Sequence, residues 1–276
     1  MGPNINNLEG SIKMNDYKYL EFSVEDSIAT ITLNRPEAAN ALNIELASEL
    51  NHVTNICQHD NNVRAVILTG NGKLFCAGGD LSSMATAGEK VDLALKELTD
   101  QCHSAFTSLM RMRAPVIIAV NGAAAGIGLS LALIGDITIA SDKASFTTAY
   151  TAAGLSPDGG ATYLLPRAIG FKRAKEMMLT NRKVGATDAL DWGMVNQLVS
   201  HESLLDEAHS IAKRLAQGPT NAFGSVKSLM LSGFAESLES QMALEAEAIG
   251  KNAVSSDGQE GINAFLERRR PDFWGS

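Results

Sequence analysis

The chain alternates short aliphatic runs with longer stretches at helical spacing, and this alternation constrains the fold more than any other feature. Val66-Ile67-Leu68 follows one helical stretch and ends near Gly70, Ala114-Pro115-Val116-Ile117-Ile118-Ala119-Val120 follows another, and Asp136 to Ala140 a third. Runs that are apolar at nearly every position read as strands buried inside a sheet. The helices between them span Ile44 to Ile56, with Leu46, Leu50, Val53 and Ile56 in register, then Val91 to Met112, Ile127 to Ile134 and Arg173 to Thr180. Strands separated by helices imply crossover connections and a largely parallel sheet. The N-terminal part differs. Tyr17 to Leu33 alternates around Glu25-Asp26-Ser27, placing Ile28, Thr30 and Thr32 on one face and Ala29, Ile31 and Leu33 on the other, which predicts a hairpin ended by Asn34-Arg35-Pro36. Helical patterns dominate from Leu204 to Leu266, with breaks at Gly218-Pro219 and Ser255-Ser256-Asp257-Gly258. The expected organisation is an α/β core over residues 14–199 and a helical region over 200–276. Residues 1–13 are polar and patternless, and read as a disordered tail or a cloning remnant.

With 276 residues, 45% of them hydrophobic, the chain can bury a large core, so disorder along its whole length is excluded. A net charge of −8 argues against nucleic acid as a partner, and the single basic run Arg268-Arg269-Arg270 is too short to reverse that. Cys57, Cys76 and Cys102 follow no disulfide or metal-ligand spacing, which points to buried thiols in a reducing compartment. No run approaches the ~20 apolar residues of a membrane span, and the N-terminus has no signal-peptide pattern. A cytoplasmic protein without a membrane partner is expected.

Three segments carry candidate chemistry. Gly154-Leu155-Ser156-Pro157-Asp158-Gly159-Gly160-Ala161-Thr162 sets one carboxylate among glycines in apolar surroundings. Asp158 reads either as a proton-transferring acid or as an ordinary turn residue. Gly126-Ile127-Gly128 follows a strand and opens an apolar helix, where unpaired N–H groups and the helix dipole can stabilise negative charge. The same small residues also suit plain helix–sheet packing. Ala77-Gly78-Gly79-Asp80 offers a second candidate donor or a simple turn. The glycine spacing is not that of a dinucleotide-binding fingerprint.

Taken together, these segments resemble the enoyl-CoA hydratase/isomerase, or crotonase, superfamily. The resemblance runs on through Leu33-Asn34-Arg35-Pro36, Asn40-Ala41-Leu42, Asp136-Ile137, Ala144-Ser145-Phe146, Leu179-Thr180-Asn181-Arg182, Ala189 to Val195 and Phe265-Leu266-Glu267-Arg268-Arg269, and so covers nearly everything from Tyr17 onward. It implies a crotonase-like α/β spiral of repeated ββα units with a C-terminal helical region that takes part in trimerisation, giving a homotrimer or homohexamer. It also implies an acyl-CoA thioester substrate, coenzyme A entering only as part of that substrate, with no cofactor and no metal. By motif position, the N–H groups of Gly79 and Ile127 are expected to bind the thioester oxygen. Ala38, Ala39, Ala77, Asp80 and Leu81 are expected to line the CoA site, with Arg268 or Arg269 reaching phosphates, in this subunit or a neighbour.

The chain departs from the pattern at its acids. Family hydratases carry two glutamates at positions that fall on Ser130 and Tyr150 here. Asp158 stands where the family's dienoyl-CoA isomerases, phenylacetate-pathway ring isomerases and 4-chlorobenzoyl-CoA dehalogenases carry an aspartate. His103, twelve residues before Pro115, matches the spacing of a dehalogenase histidine. The leading expectation is an enoyl-CoA isomerase that moves a 3-double bond to the conjugated 2-position through an enolate, with Asp158 as acid–base group and His103, Tyr150 and Ser130 as accessories. The alternatives are a hydratase, a hydrolase or dehalogenase with Asp158 as nucleophile, and a non-catalytic acyl-CoA binder.

Overall fold

The computed structural model describes residues 17–276 and the short strand Ile12–Lys13. The remainder of residues 1–13, read from sequence as a tail, lies outside the described residues, as does 14–16. Strand β1 (Ile12–Lys13) pairs antiparallel with β2 (Leu20–Glu25), and β2 with β3 (Ile28–Leu33). Asp26 and Ser27 join β2 to β3 at φ values of 51° and 63°, the two left-handed residues that a tight hairpin turn requires. Helix α1 (Ile44–His59) starts where the Asn43 side chain accepts the Leu46 N–H at 3.0 Å.

Three ββα units follow. The first holds β4 (Ala65–Gly70), β5 (Leu74–Cys76), α2 (Leu81–Thr86) and α3 (Val91–Arg111); the second β6 (Val116–Val120), β7 (Ala123–Ala125) and α4 (Ile127–Leu133). The third holds β8 (Ile137–Ser141), β9 (Ser145–Thr147), α5 (Ala161–Ile169) and α6 (Phe171–Thr180). The chain continues through β10 (Val184–Gly185), α7 (Ala186–Asp191), β11 (Gln197–Val199), α8 (Leu204–Ala216), α9 (Thr220–Ser232), α10 (Leu238–Ala253) and α11 (Ser256–Glu267). In each unit the first strand enters a large sheet ordered β1-β2-β3-β4-β6-β8-β11, parallel from β3 onward. The second strand enters a smaller sheet ordered β10-β9-β7-β5. This is the expected spiral. The smaller sheet has no counterpart in the sequence-based reading, because three-residue strands such as Ala123–Ala125 carry no alternation and little intrinsic strand preference.

Both faces of the large sheet are covered. Ala29, Ile31 and Leu33 join the main core with α1, α3 and α4, whereas Ile28, Ala65, Ile67, Ile117 and Ile139 pack against Leu204, Ala208, Ile211 and Ala212 of α8. The first helix after residue 200 therefore completes the sandwich. Lys227 of α9 is buried against the core, where its ammonium donates to Leu109 O and Ala114 O at 3.0 Å each and meets Asp136 at 2.7 Å. Burial lowers the lysine and raises the aspartate, while their mutual attraction opposes both shifts. Cys57, Cys76 and Cys102 are free and buried, and burial pushes the Cys57 and Cys76 thiols up to about 12. Among the described residues, no helix is long and apolar enough to cross a membrane.

Candidate active site

The small sheet builds the site. Parallel pairing of β5 with β7 puts the ends of both strands at one edge, so the segments that leave them, Ala77-Gly78-Gly79 and Gly126-Ile127, run side by side. The approach leaves no room for side chains: a Cβ on Gly78 would lie 3.1 Å from Ala125 O and 3.7 Å from Gly126 Cα. Gly126 takes φ 54° and ψ −129°, a region that only glycine occupies without strain. Ile127 is thus the first residue of α4, and its N–H, like that of Gly79, makes no hydrogen bond to the described residues.

The segment 38–42 braces this edge from outside. Ala77 N–H donates to Ala39 O at 3.0 Å, Leu42 N–H to Gly78 O at 2.8 Å and Asp80 N–H to Leu42 O at 3.0 Å. Asn40 locks the brace in place: wholly buried, it accepts the Arg35 N–H and donates to Asn71 O and Leu74 O, each at 2.9 Å. Its place in the resemblance was noted from sequence, but this clamp was not, since Asn71 and Leu74 lie more than thirty residues away. Asp80 pairs with Arg35 at 2.7 Å and accepts from the Ser82 hydroxyl and the Ser82 and Ser83 N–H groups. Burial works to raise its carboxyl, and the Ser82, Arg35 and Ser83 donors outweigh that and hold it well below the usual carboxylate range. The Asp80 side chain is therefore occupied in bracing the loop.

A cavity of about 270 Å³ opens beside the paired segments, lined by Gly79, Ile127, Tyr150, Leu155 and Asp158 with Leu95, Leu98 and Thr99 of α3. Asp158 is the one carboxylate among the described lining residues. Tyr150 donates its phenol to Asp158 Oδ1 at 2.7 Å, and buried Ser130 donates its hydroxyl to the Asp158 carbonyl at 3.0 Å. Burial, then the negative charge of Asp158, push the Tyr150 phenol far up, so it stays a donor. The two positions that depart from the hydratase pattern thus converge on Asp158. His103 lies on the other side, its Nε2 3.6 Å from Asp158 Oδ2. Gly159 N–H donates to that same Nε2 at 3.2 Å.

Ala77 and Leu81 line the same cavity, and Ala38 and Ala39 belong to the brace beside it. Arg268 and Arg269 are elsewhere, at the end of α11. Arg268 is the left-handed cap of that helix, and the Arg269 guanidinium is engaged by Glu260 and Glu267. Neither lines the cavity of its own chain. The stretch from Leu93 to Leu109 was expected from sequence to supply part of the pocket's outer wall, and Leu95, Leu98 and Thr99 of that stretch line the cavity.

A spiral of ββα units with two unpaired N–H groups facing an acyl-sized cavity defines a crotonase-fold enzyme. The family model described as enoyl-CoA hydratase/isomerase matches residues 23–276, and the chain belongs to that family. It is 39% identical over 259 residues to the Rhodobacter capsulatus protein named "probable enoyl-CoA hydratase", covering 94% of this chain and 99% of that one. It is likewise 39% identical over 255 residues to the Escherichia coli 1,2-epoxyphenylacetyl-CoA isomerase, covering 91% and 97%. The crystal structure of an enoyl-CoA hydratase from a Polaromonas species superimposes with a TM-score of 0.88 at 33% identity, covering 92% of this chain and 99% of that one.

Proposed function

We propose that this enzyme is an enoyl-CoA isomerase that shifts a 3-double bond of an acyl-CoA thioester to the conjugated 2-position. The observation that carries this reading is the single carboxylate among the described residues lining the cavity, held by Tyr150 and Ser130 where a hydratase pattern has its glutamates. The N–H groups of Gly79 and Ile127 polarise the thioester carbonyl, and Asp158 Oδ2, left open by the Tyr150 bond to Oδ1, takes the α-proton. The resulting dienolate is stabilised by the two donors, and Asp158 returns the proton at the γ-carbon. One acid that both takes and returns a proton suffices for this, whereas adding water requires a second group to activate it. The chemistry draws on no metal or redox cofactor, and coenzyme A enters with the substrate.

The position of His103 beside Oδ2 supports a second reading, in which Asp158 attacks the substrate and His103 activates water to release it. A panel of 3-enoyl, 2-enoyl and aromatic acyl-CoA esters, followed by absorbance of the conjugated thioester, separates isomerase, hydratase and nucleophilic chemistry. Asp158→Asn is expected to keep acyl-CoA binding and lose turnover; near-normal isomerisation by that variant overturns the assignment. Exposed Met230, Phe234, Leu238, Met242, Ile249 and Phe265 on the C-terminal helices and the α9–α10 turn support assembly of residues 200–276 into a homotrimer or homohexamer, and the three buried free thiols support a cytoplasmic enzyme.

A further inference from the structure

A polar groove of about 370 Å³ lies between α1 and α3, lined by Gln58, His103, Ser104, Thr107, Ser108 and Arg111. His103 belongs to this groove, Asp158 to the cavity, and their side chains meet at 3.6 Å. We infer that His103 is a proton relay that connects Asp158 to solvent through the groove while substrate fills the cavity. The inference rests on the proton-transfer reading of Asp158 given above.

The need for such a path follows from the geometry. The Asp158 side chain is 28% exposed, and that exposure faces the cavity, so a bound acyl group covers it. The His103 side chain keeps 49% exposure and borders the groove. Once Asp158 has taken the α-proton, its carboxylic O–H bond breaks and an Nε2–H bond forms, leaving a carboxylate and an imidazolium. The Gly159 N–H gives up its bond to Nε2 in the same step. The imidazolium passes a proton to water in the groove, and a solvent proton returns by the reverse path to Asp158, which delivers it to the γ-carbon. Exchange of the proton itself, as opposed to charge, requires the half-exposed ring to turn about its Cβ–Cγ bond and present Nε2 to the groove. No electrons move between residues, and water is the only co-reactant.

The test runs isomerisation of a 3-enoyl-CoA ester in deuterium oxide and reads deuterium per product molecule by mass spectrometry. Wild-type product is expected to carry solvent deuterium at the γ-carbon. His103→Gln, which can still accept the Gly159 N–H but cannot carry a proton, and His103→Phe are both expected to lower label per turnover on the order of tenfold. Because label is counted per turnover, a merely structural loss of rate does not lower it. Wild-type product free of deuterium, or label undiminished in both variants, overturns the relay and leaves the isomerase reading standing. Should the wild type convert no 3-enoyl ester, exchange of the ester's α-hydrogens is measured instead. Exchange that His103→Gln lowers supports the relay and overturns the isomerase; no exchange overturns both.

Discussion

Ile127→Pro removes one backbone N–H from the site while leaving the helix it starts intact. In most positions proline breaks an intrahelical hydrogen bond, but at the first residue of a helix the N–H has no partner to lose and the proline φ suits the helix. Ile127 is that residue in α4, and its N–H is unpaired. The preceding Gly126, at φ 54° and ψ −129°, is outside the helical region that a following proline disfavours. Pro also replaces a side chain that is only 5% exposed, so its effect must be separated from lost packing. Ile127→Ala provides that separation: it removes more of the side chain, at a stability cost of about 2–5 kcal/mol, and keeps the N–H. If the N–H binds the developing oxyanion, the proline variant should fall below the alanine variant by about 2.7–4 kcal/mol, or roughly 10²–10³ in kcat. The assay is initial rate on whichever acyl-CoA ester the wild type turns over, with thermal melting to confirm that both variants fold. Polarising the carbonyl is common to isomerase, hydratase and hydrolase chemistry, so the result does not depend on choosing among them. A folded proline variant with turnover within about threefold of the alanine variant refutes the role of this donor.

Two further expectations concern what holds the site together. Asp80→Asn should destabilise the fold by about 3 kcal/mol, because it leaves the half-buried Arg35 without its charge partner. Since the folded-state carboxyl of Asp80 is depressed, its contribution is whole above the ~3.9 of an unfolded aspartate and is lost as the pH falls below that value; denaturant titrations at descending pH should show the difference between wild type and variant shrinking, and a constant difference contradicts this. Lys227→Met should lower stability by about 3–5 kcal/mol by stranding Asp136 beneath α9, and adding Asp136→Asn should recover part of it; purely additive losses in chemical denaturation contradict the pairing.

The elements that bury a continuous apolar surface were legible in sequence. Val116–Val120 is apolar at every position because both faces of the large sheet are covered, and α1 and α3 carry their periodicity because one face of each meets the core. The small sheet was not legible, although it builds the site. Leu74–Cys76, Ala123–Ala125 and Ser145–Thr147 are too short and too small-sided to signal strand, and only pairing with one another makes them so. Asp158 stood out in the sequence, as did the absence of glutamates at Ser130 and Tyr150. That these two replacements bind Asp158 was not legible, because hydrogen bonds across 8 and 28 residues depend on where β9 and α4 deliver their ends.

By itself, then, the sequence determined the parallel core, two glycine-rich segments free to offer backbone N–H groups, and a lone aspartate in a third, since burial pattern and backbone freedom are local properties of residue type. Tertiary structure alone decided which oxygen of Asp158 takes the Tyr150 bond, which histidine nitrogen faces the other oxygen, and that Arg269 is spent on Glu260 and Glu267 within its own chain. Those are matters of a few ångströms between side chains on different elements, and no spacing along the chain encodes them.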